Sequence, residues 1–411
     1  MNLPSSAADT TLPCARLHRF SALRALLART RAGHLTLTLP DGRRIEAAGA
    51  ESGPHAALHL HRWRPLVRLA LQGDLGLALS YRDGDWDSPD LVALLEFGMA
   101  NEAAWGSLLE GRGPARWLAR LLHIARINTR RGSRHNIAFH YDLGNDFYAR
   151  WLDDSMLYSS ALYEDAAHDT LEAAQARRLE RIVTLLQTEP GDEVLEIGCG
   201  WGTLAATLAR DREARVTGVT LSTEQLSFAR ERARAWGVAD RVDLRLQDYR
   251  DVQGRFDRIV SIEMIEAVGE AYWPTYFATL RERLKPGGVA VLQAITIADE
   301  HFASYRRGAD FIQRCIFPGG MLPSPRALRE QAARAGFEVE EAFRFGPSYA
   351  LTLAEWRRRF VAAWPGIESP QFDAGFKRLW TYYLCYCEAG FRAGRVDVGL
   401  YRLRRAVDTP D

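Results

Sequence analysis

The stretch that decides the fold is "VLEIGCGWGTL", residues 194 to 204. A short apolar run carries Glu196 and then meets three glycines on alternate positions, Gly198, Gly200 and Gly202, before the helix-like "TLAATLAR". Glycines between a strand and a helix let a ligand approach the main chain, because a Cβ would occupy that space. A dinucleotide fingerprint spaces its glycines G-x-G-x-x-G and sets a pyrophosphate on the helix N-terminus. Here the spacing is E-x-G-x-G-x-G, a different signal.

Outward from that loop, helices and strands alternate from about residue 170. The strands "EVLEIG", "RVTGVTL", "VDLRLQD", "FDRIVSI" and "VAVLQAIT" alternate with helices such as "LEAAQARRLERIVTLLQT", "TEQLSFARERARAWG" and "WPTYFATLRERL". This pattern predicts an α/β fold, a doubly wound and mostly parallel sheet whose ligand site lies beyond the carboxyl ends of its strands. Upstream, "HLTLTLP", "AALHLHRW" and "LGLALSYRDGDWD" alternate as strands do, and "SPDLVALLEFGMAN" reads as a helix behind an Asp-Ser-Pro start, which predicts a smaller N-terminal α+β domain. The expected organisation is a disordered start at 1–15, the N-terminal domain at 16–111, a basic linker at 112–134 and the main domain at 135–411.

The chain has 411 residues, 47% hydrophobic and 26% charged, the composition of a globular protein with more than one core. Its net charge is +1, so no global field recruits a nucleic acid, and any attraction to an anionic surface is local. Residues 112 to 134 provide such a place: seven arginines and no acid, interleaved with Trp117, Leu121 and Ile124 at helical spacing. The run reads either as a solvated linker helix or as a basic amphipathic segment on lipid headgroups. Five cysteines without a C-x-x-C pair suit a reducing compartment, which predicts a cytoplasmic protein. His59 with His61, and Cys385 with Cys387, lack metal-site spacing, so no metal is expected.

The E-x-G-x-G-x-G loop after a strand resembles motif I of the S-adenosylmethionine-dependent (class I, Rossmann-like) methyltransferases. "HYDLGNDFYARWLDDSMLYSSALY" (140–163), "GVTLSTEQ", "QDYRD", "FDRIVSIEMIEAVG", "FIQRCIFPGGMLPS" (311–324) and "YALTLAEW" (349–356) narrow this to a resemblance to the cyclopropane-fatty-acyl-phospholipid synthase family, from about 135 to 405. The "YRDGDWD" segment is similar to that family's bacterial N-terminal domain. The resemblance implies that Glu196, Gly198, Gly200 and Gly202 hold the methionine part of the cofactor. It implies that Thr220 and Gln225 reach the ribose, that Asp248 and Tyr249 serve the adenine, and that Tyr158, Ser159 and Ile262 complete the site. The substrate would be an unsaturated phospholipid acyl chain, reached by peripheral docking at the inner face of the membrane. The segment 135–165 would be a lid and residues 300–405 part of the acyl slot, and family analogy leaves a homodimer open.

An isolated alkene is a poor nucleophile, so it must be held against the sulfonium methyl in a dry slot. Methyl transfer leaves a carbocation that needs electron-rich walls, for which Tyr163, Phe317, Tyr349, Trp380, Tyr382 and Tyr383 are candidates, and then a base. By the resemblance the base is a bicarbonate ion held by Glu266, Tyr349 and the backbone near Ile295 together with a cysteine and a histidine. Here those last two positions are Ser160 and Gln293, which still hydrogen-bond an anion but offer neither thiol nor imidazole. Glu263 stands where the family usually has a glycine, three residues before Glu266 and on the same face if that turn is helical. Two nearby carboxylates raise one pKa, so Glu263 or Glu266 is a second candidate base. Proton loss from the new methyl closes a cyclopropane; loss from a chain carbon after a hydride shift leaves a methylene branch, and both products stay open. Two further readings also stand: a small-molecule methyltransferase and a non-catalytic lipid-binding protein.

Overall fold

The computed structural model describes residues 23–106, 143–308 and 310–405. The expected disordered start, the basic linker and residues 135–142 of the expected lid lie outside the described residues. The chain divides into two compact units, Met1–Arg112 and Gly113–Asp411.

In the first unit β1 (Ala32–Thr38), β2 (Arg44–Ala48), β3 (Glu51–Leu60) and β4 (Trp86–Asp87) form a sheet in the order β2-β1-β3-β4, accompanied by α1 (Arg64–Gln72), α2 (Asp74–Arg82) and α3 (Leu91–Trp105). The alternation of "HLTLTLP" buries Leu35, Leu37 and Leu39. The helix expected behind the Asp-Ser-Pro start forms, but it begins at Leu91, capped by Asp90 just past that signal, which accepts from the Ala93 N–H at 3.0 Å. The strand-like reading of "LGLALSYRDGDWD" is corrected: its first part is α2, and only Trp86–Asp87 is strand. The stretch has no β-branched residue, and leucine and alanine favour a helix. Its tail forms a buried knot in which Asp85 accepts from Arg64 through both oxygens at 2.5 and 2.7 Å, while Trp86 Nε1 donates to the Leu77 carbonyl at 3.0 Å.

The second unit runs α4 (Asn145–Ala149), α5 (Leu171–Leu186), β5 (Glu193–Ile197), α6 (Thr203–Asp211), β6 (Arg215–Thr220), α7 (Thr223–Ala235) and β7 (Val242–Leu246). It continues through β8 (Phe256–Ile262), α8 (Ile265–Val268), α9 (Trp273–Arg283), β9 (Leu284–Ile297), α10 (Asp299–Tyr305), α11 (Phe311–Cys315) and α12 (Pro325–Arg334). It closes with β10 (Phe337–Arg344), α13 (Gly346–Ala363), α14 (Ala374–Arg392) and β11 (Val396–Arg405). The sheet order is β10-β11-β9-β8-β5-β6-β7. Strands β5 to β9 are parallel as expected, while β11 and β10 add an antiparallel edge. The apolar central strands are buried, with Val194, Leu195, Ile259, Val260, Ala290 and Val291 sealed from solvent. From β5 the chain moves outward through β6 and β7, then returns to β8 on the other side, so the carboxyl ends of β5 and β8 border the switch-point crevice. Strand β9 outruns β8: Ile262 pairs with Gln293, and Ala294–Ile297 continue along β11 alone.

Candidate active site

The three glycines of the opening loop do different work. Gly198, Gly200 and Gly202 all have left-handed φ angles, +81°, +51° and +80°. A Cβ on Gly202 would lie 2.7 Å from Ala229 Cβ on α7, so this glycine lets two helices close on each other. A Cβ on Gly200 would meet no atom within 4 Å, so this position faces open space. Glu196 is buried, its Oε2 has no hydrogen-bond partner among the described residues, and burial pushes its pKa up to about 8. An orphaned carboxylate oxygen at an open glycine cradle fits the cationic amino-acid end of S-adenosylmethionine.

Of the other expected cofactor residues, Thr220, Asp248, Tyr249 and Ile262 stand at or just after the ends of β6, β7 and β8, while Tyr158 and Ser159 lie in the segment before α5; several have protein partners. Thr220 Oγ1 bonds Gln225 Oε1 at 3.0 Å where β6 ends. Asp248, after β7, pairs with Arg250 at 2.6 Å, and Tyr249 is buried edge-on against Tyr276. Ile262 is the last residue of β8. Tyr158 bonds Tyr383 hydroxyl to hydroxyl at 2.8 Å, and the Ser159 carbonyl accepts from Gln175 Nε2 at 3.0 Å.

At the end of β8 the chain turns through Glu263, whose φ of +49° is left-handed and rare for a residue with a side chain. The turn is therefore not helical there, and the expected shared helix face of Glu263 and Glu266 is corrected. Instead Glu263 is surrounded by donors. Its Oε1 accepts from the Ser160 N–H at 3.0 Å and from Gln293 Nε2 at 2.6 Å, and its Oε2 accepts from the Tyr349 hydroxyl at 2.7 Å. Ser160 contributes its backbone N–H; its hydroxyl turns away and donates to the Ala161 carbonyl at 2.9 Å. Glu266, on α8, accepts from the Ile295 N–H on the β9 overhang at 2.5 Å, and its Oε2 is buried without a partner among the described residues.

Burial raises the pKa of both carboxyls, but their surroundings separate them. Glu266 is pushed to about 8 by burial and then by the charge of Glu263. For Glu263 the Tyr349, Ser160 and Gln293 hydrogen bonds and the Arg178 charge all oppose burial. Within the pair the surroundings therefore favour the negative charge on Glu263 and the proton on Glu266, the pattern by which neighbouring carboxyls can take different acid-base roles.

The family model of mycolic acid cyclopropane synthetase matches residues 128–400. The chain belongs to this family. A tuberculostearic acid methyltransferase of Mycobacterium tuberculosis is 39% identical over 401 residues, 94% of this chain and 91% of the relative. The cyclopropane-fatty-acyl-phospholipid synthase of Escherichia coli is 39% identical over 347 residues, 83% of this chain and 86% of the relative. Among solved structures, a mycolic acid cyclopropane synthase complexed with SAH and CTAB matches with a TM-score of 0.61 at 29% identity, covering 66% of this chain and 98% of that one. The protein is thus an S-adenosylmethionine-dependent methyltransferase of the cyclopropane synthase family.

In this methyltransferase the described part of the expected lid is tied to the motif I loop. Trp201 Nε1 donates to Asn145 Oδ1 at 2.7 Å, and Arg232 bonds the Ser155 carbonyl at 2.7 Å. The "FIQRCIFPGGMLPS" segment joins the site through the Met321 N–H, which donates to the Glu266 carbonyl at 2.7 Å. Of the expected aromatic walls, Tyr349 touches Glu263 and Phe391, while Phe317 packs on Tyr383. Trp380 belongs to a packed cluster with Phe147 and Phe376, Tyr382 packs on Phe311, and the Tyr163 hydroxyl lies near Glu355 and Arg359. Sequence reasoning missed Arg178 and Gln175 on α5. Both are 1% exposed, and nothing in an arginine-rich helix marks one arginine as buried. Among the described residues no group of three or more acidic, histidine or cysteine side chains is placed to hold a metal.

Proposed function

We propose that this methyltransferase adds a one-carbon unit to the double bond of an unsaturated phospholipid acyl chain, and that Glu263 accepts the released proton. The observation that carries this reading is the Glu263 carboxylate, which accepts from Gln293, Tyr349 and the Ser160 backbone, three positions that the family resemblance assigns to the anionic base. S-adenosylmethionine supplies, when bound, an electrophilic methyl group. The chain's own part is to hold the alkene against it, to face the carbocation formed on the acyl chain with the rings of Tyr349, Phe317 and Tyr383, and to take the proton on a carboxylate oxygen. With those three donors engaged by Glu263, a separate bicarbonate ion does not fit, and no step runs through one.

A cyclopropane ring is the first product reading, because Glu266, Tyr349 and Ile295 keep the family's residues around the base. A methylene branch is the second. It is favoured by Glu263 itself, because a carboxylate on a backbone tether places its oxygens differently from a free ion. Docking on the inner face of a membrane is supported by the arginine run at 112–134 and by Val67 and Leu71, 39% and 53% exposed on α1. No described helix is long and apolar enough to cross a bilayer.

The test is to incubate the protein with S-adenosylmethionine and vesicles of a monounsaturated phospholipid in bicarbonate-depleted buffer, then to examine the released acyl chains by mass spectrometry and proton NMR. A gain of one CH2 is expected, with ring or vinylidene protons naming the product. No mass change with wild type, or unchanged turnover in Glu263→Gln, overturns the proposal.

A further inference from the structure

Behind the two carboxyls lies Arg178, a guanidinium 1% exposed in the middle of α5, with its Nε unpartnered among the described residues. Its NH1 faces Gln293 Oε1 at 3.5 Å, and its NH2 donates to Gln175 Oε1 at 3.0 Å. Each contact leads to a donor of Glu263. With its oxygen turned to a cation, the Gln293 amide can only present Nε2 to Glu263 at 2.6 Å. Gln175 in turn donates to the Leu157 and Ser159 carbonyls at 3.3 and 3.0 Å, which sets the segment that offers the Ser160 N–H. Burying an arginine is costly, and among the described residues no carboxylate is paired with it directly. The charged and titratable groups that bear on it are Glu263 beyond Gln293, Asp153 from the loop after α4, Tyr349 from α13 and Glu196 from β5; Glu266 bears on Glu263 from α8.

We propose that Arg178 is a positioning residue of the methyl-transfer reaction: through Gln293 and Gln175 it aims two of the three donors at Glu263 and supplies the buried positive charge that keeps this carboxylate ready to accept a proton. The inference rests on the reading of Glu263 as the acceptor. Without the cation, Glu263 would ionise only at higher pH, and Gln293 would be free to flip and set its oxygen against the carboxylate.

The experiment compares Arg178→Gln and Arg178→Lys with wild type and Glu263→Gln on unsaturated phospholipid vesicles. The pH dependence of kcat and the KM for lipid are measured, with S-adenosylhomocysteine binding as the check that each variant is folded. For Arg178→Gln kcat is expected to fall roughly 10- to 100-fold, as for a displaced catalytic group. The rising limb of its pH profile moves to higher pH, and KM stays within about twofold of wild type. Arg178→Lys restores the position of the limb while recovering only part of kcat, because an ammonium cannot hold both amides. If neither variant folds, Gln175→Met cuts one arm and keeps the cation: a lower kcat with an unshifted limb supports the proposal, and wild-type kcat overturns it. A folded Arg178→Gln with wild-type kcat and limb also overturns it. If Glu263→Gln is inactive in that case, only the role of Arg178 falls; if Glu263→Gln is active too, the Glu263 reading falls with it.

Discussion

At the scale of single residues, the decisive feature is a glutamate in a backbone conformation that suits glycine. Glu263 at φ +49° carries a local cost of about 1 kcal/mol relative to glycine, and its three hydrogen bonds show what holds it there. Glu263→Gly relieves that strain, empties the carboxylate position and leaves three donors facing a space suited to a small anion. Turnover is expected to drop about 100-fold or more in bicarbonate-depleted buffer and to recover in part on adding bicarbonate, while wild type is indifferent to it. Initial rates with and without the ion decide the matter; a variant that bicarbonate does not rescue counts against the substitution of side chain for ion. Glu196 and Glu266 give a second prediction. Their pKa values are raised from 4.5 to about 8, so between those pH values the folded chain retains two protons that the unfolded chain has released. Stability is therefore fully present below about pH 4.5 with respect to these groups and is lost as pH rises toward 8. Thermal unfolding of the ligand-free protein should occur at lower temperature at pH 8 than at pH 6, and Glu266→Gln should reduce the difference; an unchanged slope in that variant excludes Glu266 as a source.

At the scale of elements, the loop between β5 and α6 sets neighbouring glycines in different surroundings, Gly202 against α7 and Gly200, the proposed cofactor cradle, facing open space. Gly200→Val faces open space, so the fold is kept at a strain cost of about 1–2 kcal/mol while the side chain fills the cradle, and cofactor binding is lost. Gly202→Val meets both the φ penalty and Ala229 at 2.7 Å from the first carbon, so α6 and α7 must separate and the whole unit loses stability. Calorimetric titration with S-adenosylhomocysteine beside a melting curve distinguishes them. Retained affinity in Gly200→Val contradicts the assignment of the cradle. The β9 overhang is a second example, since only a strand longer than β8 can bring the Ile295 N–H to Glu266.

At the scale of the whole molecule, a net charge of +1 gives no general attraction to anionic lipid, so the proposed docking rests on local features. Neutralising Arg116, Arg120, Arg130 and Arg131 together should weaken binding to vesicles containing phosphatidylglycerol by 100-fold or more, since each arginine near the surface contributes about 1 kcal/mol. Wild-type binding should itself weaken between low and high salt. Flotation assays measure both, and salt-independent binding would assign the docking to apolar contacts such as Val67 and Leu71 instead.

Much of this protein was legible from its sequence because the relevant information is local. The spacing of Glu196, Gly198, Gly200 and Gly202, the five apolar strand runs and the Asp90 helix start depend on neighbours in the chain, and each is present in the fold. Glu263 could be singled out as an extra carboxylate, but its role depends on donors 103, 30 and 86 residues away in sequence, at Ser160, Gln293 and Tyr349. Strands β10 and β11 escaped because charges interrupt both "FEVEEAFR" and "VDVGLYRLRR", although β11 lies buried between β10 and β9. Arg178 escaped because solvent exposure is a property of the packed sheet and helices, and the arginines at 177, 178 and 181 look alike along the chain. The sequence by itself determined the strand-glycine-helix cradle, which follows from residue type and spacing, and its motifs carried the family resemblance that implied the class of chemistry. Only the tertiary structure decided which carboxyl is ringed by donors and which arginine is buried behind it, because hydrogen bonding and desolvation act between segments that meet only when the chain is folded.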